Sequence, residues 1–235
     1  MTVHIFTPVY HRFAFVKESL TSVIRHMDNA SYDCELFIGV NGYEHDEMKE
    51  WLKSICSSNI VLYESSANMG KAAIINKMYG YHNDCDYIIS IDSDMVADEE
   101  NNFIDDMVWS IEHFTEFGVL STFQKCNDQQ IWNGLQESQK NGPHEVRYGK
   151  YNNVAGGCVI MKKAIWDAMK GYSTYGGVYG FDDGLMMQSV HLMGLKAGVI
   201  ETVKLHHPHD TDKAYFDWKM KNIAKRKSKG YYEEN

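Results

Sequence analysis

Over the first ninety-odd residues, short apolar runs alternate with stretches whose apolar residues recur at helical spacing. Val3 to Thr7 reads as a short buried strand that stops at Pro8. Phe15, Val16, Leu20, Val23, Ile24 and Met27 then lie on one helical face. Cys34 to Val40 forms a second run, closed by the turn signal Asn41-Gly42. Met48, Trp51, Leu52 and Ile55 mark a second helix, Ile60 to Tyr63 a third strand, Lys71 to Tyr81 a third helix, and Tyr87 to Ile91 a fourth strand. Strand and helix in strict alternation predict parallel strands joined by right-handed crossovers.

The second half is less regular. The spacing predicts a helix from about Asn102 to Phe117, carrying Phe103, Ile104, Met107, Val108, Ile111 and Phe114. A polar loop from Cys126 to Lys150 follows, then a strand at Cys158 to Met161, a helix from Asp182 to Met193, a short strand at Val199 to Leu205 and a basic terminal helix. No internal repeat is visible.

A chain of 235 residues with 44% apolar and 23% charged residues is long enough for one substantial core. With only 3 prolines and no low-complexity tract it reads as a single domain over 1–235, with parts at 1–100, 101–210 and 211–235. No apolar stretch approaches the ~20 residues of a membrane-spanning helix. The N-terminus enters a strand pattern without a basic leader, so no signal peptide is expected. The five cysteines, Cys34, Cys56, Cys85, Cys126 and Cys158, are odd in number and lack any Cys-x-x-Cys spacing, which suits reduced thiols in a cytoplasmic protein. The net charge of -9 argues against a broad nucleic-acid surface. Locally the tail differs, because Lys219, Lys221, Lys225, Arg226, Lys227 and Lys229 fall within eleven residues that contain no acid. Such a run suits a solvated helix end, or a surface for a phosphorylated acceptor, nucleic acid or anionic lipid.

The densest chemistry lies at Tyr87-Ile88-Ile89-Ser90-Ile91-Asp92-Ser93-Asp94, a strand that ends in two carboxylates one residue apart. If strand geometry persists, Asp92 and Asp94 point the same way. They would stand at the carboxyl end of a strand, where open α/β sheets bind ligands. A divalent cation held there would be shared with phosphate oxygens. A bare Asp-x-Asp also suits a turn that caps the next helix.

Further motifs, in order, resemble glycosyltransferase family 2. Thr7-Pro8-Val9-Tyr10-His11-Arg12 is similar to the family's first-strand segment, whose loop faces the nucleotide. Asn68-Met69-Gly70-Lys71-Ala72, followed by Asn76, is similar to the segment ahead of the third helix, and Cys85 to Asp94 to the metal-binding DxD strand. Gly156 to Lys163 resembles the acceptor-side strand, Tyr179-Gly180-Phe181-Asp182-Asp183 stands where the family has Gly-Glu-Asp, and His206-His207-Pro208-His209 where many members place a metal-binding histidine. The resemblance covers about residues 3 to 210. It implies an α/β fold of the GT-A type: a mostly parallel, Rossmann-like sheet flanked by helices.

It also implies transfer of a sugar from a nucleoside diphosphate, UDP above all, to a hydroxyl acceptor, with Mn²⁺ or Mg²⁺ as cofactor. Asp94 is then the first choice for direct metal contact, with Asp92 facing the ribose or a metal-bound water. His207, and after it His209, would complete the shell, since imidazole suits such ions. Asp182 or Asp183 would be the general base, the motif favouring Asp182, and a direct displacement would invert the anomeric carbon. Thr7, Pro8, Tyr10, Arg12, Asn68, Gly70, Lys71, Ser93, Gly156 and Gly157 would line the nucleotide-sugar site, with Lys71 near a phosphate. Tyr175 or Tyr179 would face the acceptor and Trp132 belong to a lid. The sequence departs from the family twice. Asn41 stands nearest the position of the acid that holds uracil, and Phe181 replaces the glutamate of Glu-Asp.

A nucleotidyltransferase of similar fold would want a Gly-x-Gly-x-Arg first loop, and Thr7 to Arg12 has no glycine. A binding module with a dead site would not need Asp92, Asp94, Asp182 and His207 together. The acceptor is open between glycans, small molecules and, given the basic tail, modified DNA; peripheral membrane contact is also open.

Overall fold

The computed structural model describes residues 1–125, 135–149, 154–175, 177–178, 182–207, 217 and 220–221. Elements β1 (Thr2–Val9), α1 (Phe13–Asp28), β2 (Asp33–Val40), α2 (Asp46–Ser54), β3 (Ile60–Glu64), α3 (Lys71–Tyr81) and β4 (Tyr87–Ile91) alternate as the pattern predicts. β5 (Val96–Ala97), α4 (Phe103–His113), β6 (Phe117–Lys125), β7 (Glu137–Asn141), β8 (His144–Tyr148), β9 (Cys158–Lys162), α5 (Lys163–Met169), α6 (Asp182–Leu192) and β10 (Lys196–His206) follow. They form one sheet in the order β3-β2-β1-β4-β9-β6-β10-β8-β7, with β5 paired to β10.

The strands β3-β2-β1-β4 are parallel, as expected. Both of their faces are covered, which explains their unbroken apolar runs. Val3 and Ile5 of β1 pack into one core with Leu20 of α1, Leu52 of α2 and Met107 of α4. Phe6 points the other way, among Ile75 of α3, Trp166 of α5 and Met187 of α6. β1 runs on through Pro8, contrary to the expected stop. Its pairing with β4 has already ended at Phe6, and Pro8 pairs only along β2, opposite Gly39, so a missing N–H is tolerated.

The second half corrects the sequence reading in four places. The predicted helix to Phe117 ends at His113, and Phe117 opens β6. Phe114 and Phe117 keep a helical interval, yet their rings meet edge to face across the turn between helix and strand. Residues 137–148 of the predicted polar loop form the antiparallel hairpin β7–β8, turned at Gly142 with φ 50°. β7 is exposed along nearly its whole length, so it carries no alternation to read. Short α5 also went unpredicted, and β10 is longer than expected at both ends. Cys126, Trp132, Tyr179, His209 and every tail cation except Lys221 lie outside the described residues.

Topology decides what meets at one edge. β9 is antiparallel to β4 and β6, while β10 is parallel to β6. The carboxyl ends of β1, β2, β4, β6 and β10 and the amino end of β9 therefore share one side of the sheet. That is the side on which α/β folds bind ligands.

Candidate active site

The turn after β4 is held from both sides. The Asp92 amide donates to the Gly157 carbonyl at 2.7 Å, and the Met95 amide to the Asp92 carbonyl at 3.1 Å. Beyond it, β5 pairs antiparallel with the end of β10, Ala97 against Leu205 and Val96 against His206. This register carries His207 to the turn, where its Nε2 lies 3.5 Å from Asp94 Oδ2.

Arg12 reaches the same oxygen of Asp94 from the loop after β1. His11 and Arg12 both adopt left-handed backbone conformations, φ 54° and 58°. That is uncommon for consecutive residues other than glycine and persists where surrounding contacts over-determine it. Here the Arg12 Nη1 donates to Asp94 Oδ2 at 2.9 Å, and the guanidinium lies 4.3 Å from the centre of the Phe15 ring. Glu44 accepts from the Phe13 amide at 2.7 Å and so caps the first turn of α1. Burial works to raise the Asp94 pKa, but His207 and Arg12 outweigh it and the net shift is downward.

Asp92 has a different partner. Lys71, the first residue of α3, places its Nζ 2.8 Å from Asp92 Oδ1 and donates to the Gly156 carbonyl at 2.8 Å. The same ammonium lies 3.9 Å from Asp182 Oδ2 and 3.8 Å from Asp183 Oδ1, both in the first turn of α6. Burial works against its charge, yet Asp92, Asp183 and Asp182 hold its pKa well above the ordinary lysine value. Burial raises the Asp92 pKa to about 6, against the pull of Lys71 and with the help of Asp94. Burial also raises Asp183, opposed by Lys71 and reinforced by Asp182. Asp182 is the more hidden of the two, its side chain 12% exposed against 42% for Asp183.

Two glycines permit this approach. A Cβ on Gly156 would stand 1.8 Å from Asp183 Oδ1, so only glycine leaves room for that carboxylate. Gly70, at φ 81°, packs its Cα against the Val178 backbone, where a Cβ would come within 2.5 Å of the carbonyl oxygen.

The remaining predicted site residues divide. Asn41 is buried and committed to the next loop, its Oδ1 accepting from the Met69 amide at 3.0 Å and its Nδ2 donating to the Gly70 carbonyl at 3.3 Å. Asn68 accepts from the Gly70 amide at 2.9 Å. Thr7 and Pro8 sit inside β1, and the Tyr10 and His11 rings, 4.1 Å apart, lie beside Gly42 in the loop after β2. Ser93 lies on the turn between the two aspartates, and Tyr175 is largely exposed on the segment ahead of α6. Sequence reasoning passed over Gln124, whose buried Nε2 lies over Gly157 with no hydrogen-bond partner among the described residues. Its signal was the run Gly118 to Thr122, hidden behind the apparent helix.

Among the described residues, no three or more His, Cys, Asp or Glu side chains gather closely enough to hold a metal ion by themselves. The donors at the turn nevertheless suit one: an imidazole nitrogen 3.5 Å from a carboxylate oxygen, with a second carboxylate two residues away. Mg²⁺ and similar ions commonly take one or two carboxylates and complete their shell with water and substrate phosphates.

Residues 4–168 match the profile of glycosyl transferase family 2. A comparison with curated protein sequences gives no match. Among solved structures, GalNAc-T7 with UDP, GalNAc and Mn²⁺ superposes with a TM-score of 0.72 at 11% identity, over 89% of this chain and 44% of that one. The mannosyltransferase PcManGT from Pyrobaculum calidifontis, in complex with GDP-Man and Mn²⁺, gives 0.68 at 14% identity, over 99% of this chain and 65% of its own. S. aureus TarS 1-349 with UDP-GlcNAc gives 0.65 at 12% identity, over 91% and 60%. The chain thus spans between 44% and 65% of the length of these three proteins, and the likeness is one of GT-A fold. With the profile covering most of its length, the chain belongs to glycosyl transferase family 2.

Proposed function

We propose that the chain moves a glycosyl group from a nucleoside-diphosphate sugar, a UDP-sugar by preference, to a hydroxyl acceptor, with a divalent cation at Asp94 and inversion at the anomeric carbon. The observation that carries this reading is the convergence of Asp92, Asp94, Asp182, Asp183, Arg12, Lys71 and His207 on one sheet edge. The nucleotide-sugar and Mn²⁺ complexes of the structural neighbours support the donor class.

Asp94 and His207 would hold Mn²⁺ or Mg²⁺, with Asp92 beside them and His209 close in sequence. The ion supplies Lewis-acid neutralisation of the charge on the departing diphosphate. Arg12, already at Asp94, adds a permanent positive charge on that side. Thr7, Pro8, Tyr10, Asn68, Gly70 and Ser93 border the nucleotide, and Asn41 holds the loop that carries Asn68 and Gly70. Gly156 and Gly157 leave the sugar room beside the backbone.

Asp183, the more exposed of the two carboxylates and raised by burial above the usual carboxylate pKa, takes the proton from the acceptor hydroxyl. The acceptor oxygen bonds to the anomeric carbon as the bond to the β-phosphate oxygen breaks, and the nucleoside diphosphate leaves with the electron pair. Attack opposite the leaving group inverts the centre. Asp182, which stands at the family's Glu-Asp position, backs the base from the buried side.

No helix among the described residues is long and apolar enough to cross a membrane. The free thiols of Cys34, Cys56, Cys85 and Cys158 are in keeping with a cytoplasmic setting.

Thermal-shift titration with UDP, GDP, CDP and dTDP, with and without Mn²⁺, tests the donor reading. A ligand that binds the folded state raises the midpoint by mass action. UDP with Mn²⁺ is expected to raise it most. No response to any of the four would remove the donor reading, and an equal response without metal would remove the cation.

A further inference from the structure

We propose that Lys71 is a positioning residue that seats Asp183 and Asp182 against the Asp92 turn, rather than a ligand of the donor phosphates. The inference rests on the transfer reading above and deepens it.

The donors of Lys71 are already committed. A lysine ammonium has three N–H groups and no acceptor. Two are taken at 2.8 Å by Asp92 Oδ1 and the Gly156 carbonyl, which leaves one for Asp182 and Asp183, both within 3.9 Å. Every one of these partners is a protein oxygen. An arriving diphosphate would find the charge already shared among three carboxylates.

The mount of Lys71 and its partners is rigidly packed as well. α3 and the residue before it meet Tyr172, Val178 and the first turn of α6. Gly70 packs on Val178, Lys71 faces Asp182 and Asp183, and Asn76 clamps the Tyr172 backbone in both directions, accepting from its amide at 2.8 Å and donating to its carbonyl at 2.7 Å. Gly156 also closes on the Asp183 carboxylate, leaving no room for a side chain between them. Asp183 is thus seated between an ammonium and a glycine backbone, and the same ammonium fixes its relation to the turn that carries Asp94. Donor and base are placed by one side chain.

The test separates positioning from phosphate binding. K71M, K71R and G156A are compared with wild type in two measurements: calorimetric affinity for UDP with Mn²⁺, and turnover of whichever of UDP-glucose, UDP-GlcNAc and GDP-mannose the wild type consumes fastest. Positioning predicts that K71M lowers kcat by about 10²-fold, the scale of a misplaced group, with UDP affinity changed by less than about threefold. K71R recovers most of the rate, because it keeps the cation. G156A, which leaves the Lys71–Asp92 contact in place but displaces Asp183, lowers kcat as K71M does. Should K71M fail to fold, K71R and G156A carry the decision. UDP affinity weakened tenfold or more with kcat unchanged, about 1.4 kcal/mol lost in binding alone, would make Lys71 a phosphate ligand and overturn the proposal, as would G156A at the wild-type rate. Wild type that consumes none of the three donors overturns the transfer reading and this role with it. Wild type active with K71M its equal overturns this role alone.

Discussion

The two aspartates of the β4 turn, one residue apart, live in opposite electrostatic surroundings. Asp94 lies against two basic side chains, Arg12 and His207, brought from the β1 loop and the end of β10. Asp92, with Asp182 and Asp183, shares one ammonium among three carboxylates. On the first side His207 and Arg12 outweigh burial and drive the Asp94 carboxyl group down; on the second, burial drives Asp92 and Asp183 up against the pull of Lys71. Groups whose surroundings push their pKa values apart mark a division of roles between charge binding and proton transfer. We read the Arg12 side as the place for the cation and diphosphate, and the Lys71 side as the place for the base.

The largest effect should follow from breaking the first side. D94A is expected to abolish Mn²⁺-dependent binding of UDP in calorimetric titration, while circular dichroism still reports a folded chain. Unchanged affinity would remove Asp94 from the cation site. On the second side, D183N is expected to lower turnover by about 10²–10⁴-fold, the range for losing acid–base assistance, with UDP affinity intact. If D182N shows that loss and D183N does not, the base sits at the family's own position and the greater exposure of Asp183 has misled the assignment.

A smaller, sharper test is the sign of each side's contribution to stability. A carboxyl group held below its unfolded value stabilises the fold above that value, and the contribution is lost as pH falls through the folded pKa. D94N should therefore lower the melting midpoint at pH 7 by at least about 4 °C, because it takes the Asp94 charge away from a largely buried guanidinium. The penalty should shrink in acid below about pH 4. A raised carboxyl group behaves oppositely: its ionisation costs stability, and the cost grows as pH rises from the unfolded value through the folded one. D183N should leave the midpoint unchanged or raise it by roughly 1–3 °C at pH 7. Calorimetric melts at about pH 3 and pH 7 for D94N, and at about pH 4 and pH 7 for D183N, check the pair, and shifts of the same sign at pH 7 would dissolve the contrast.

The two sides were not equally legible in the sequence. The parallel half was readable because strands covered on both faces are written as unbroken apolar runs; α3 and β4 have the bounds that the pattern predicts. The carboxylates and His207 were readable as motifs. Their partners were not. Arg12 meets Asp94 through two left-handed residues and a sheet order that no local pattern encodes. His207 arrives through β5, two residues long and too short to leave a period. Lys71 and Asp183 are more than a hundred residues apart in the chain, and the glycine that lets them meet, Gly156, belongs to a third segment. β6 was masked because Phe114 and Phe117 carry the helical interval past the true end of α4.

The most direct measurement of the central claim is release of nucleoside diphosphate from UDP- and GDP-sugars, followed with Mn²⁺ and with EDTA, for wild type, D94A and D183N side by side. The two-sided reading predicts release by wild type that needs the metal, none by D94A, and slow release by D183N despite normal UDP affinity. Equal rates with and without metal, or D94A and D183N failing in the same way, would contradict it.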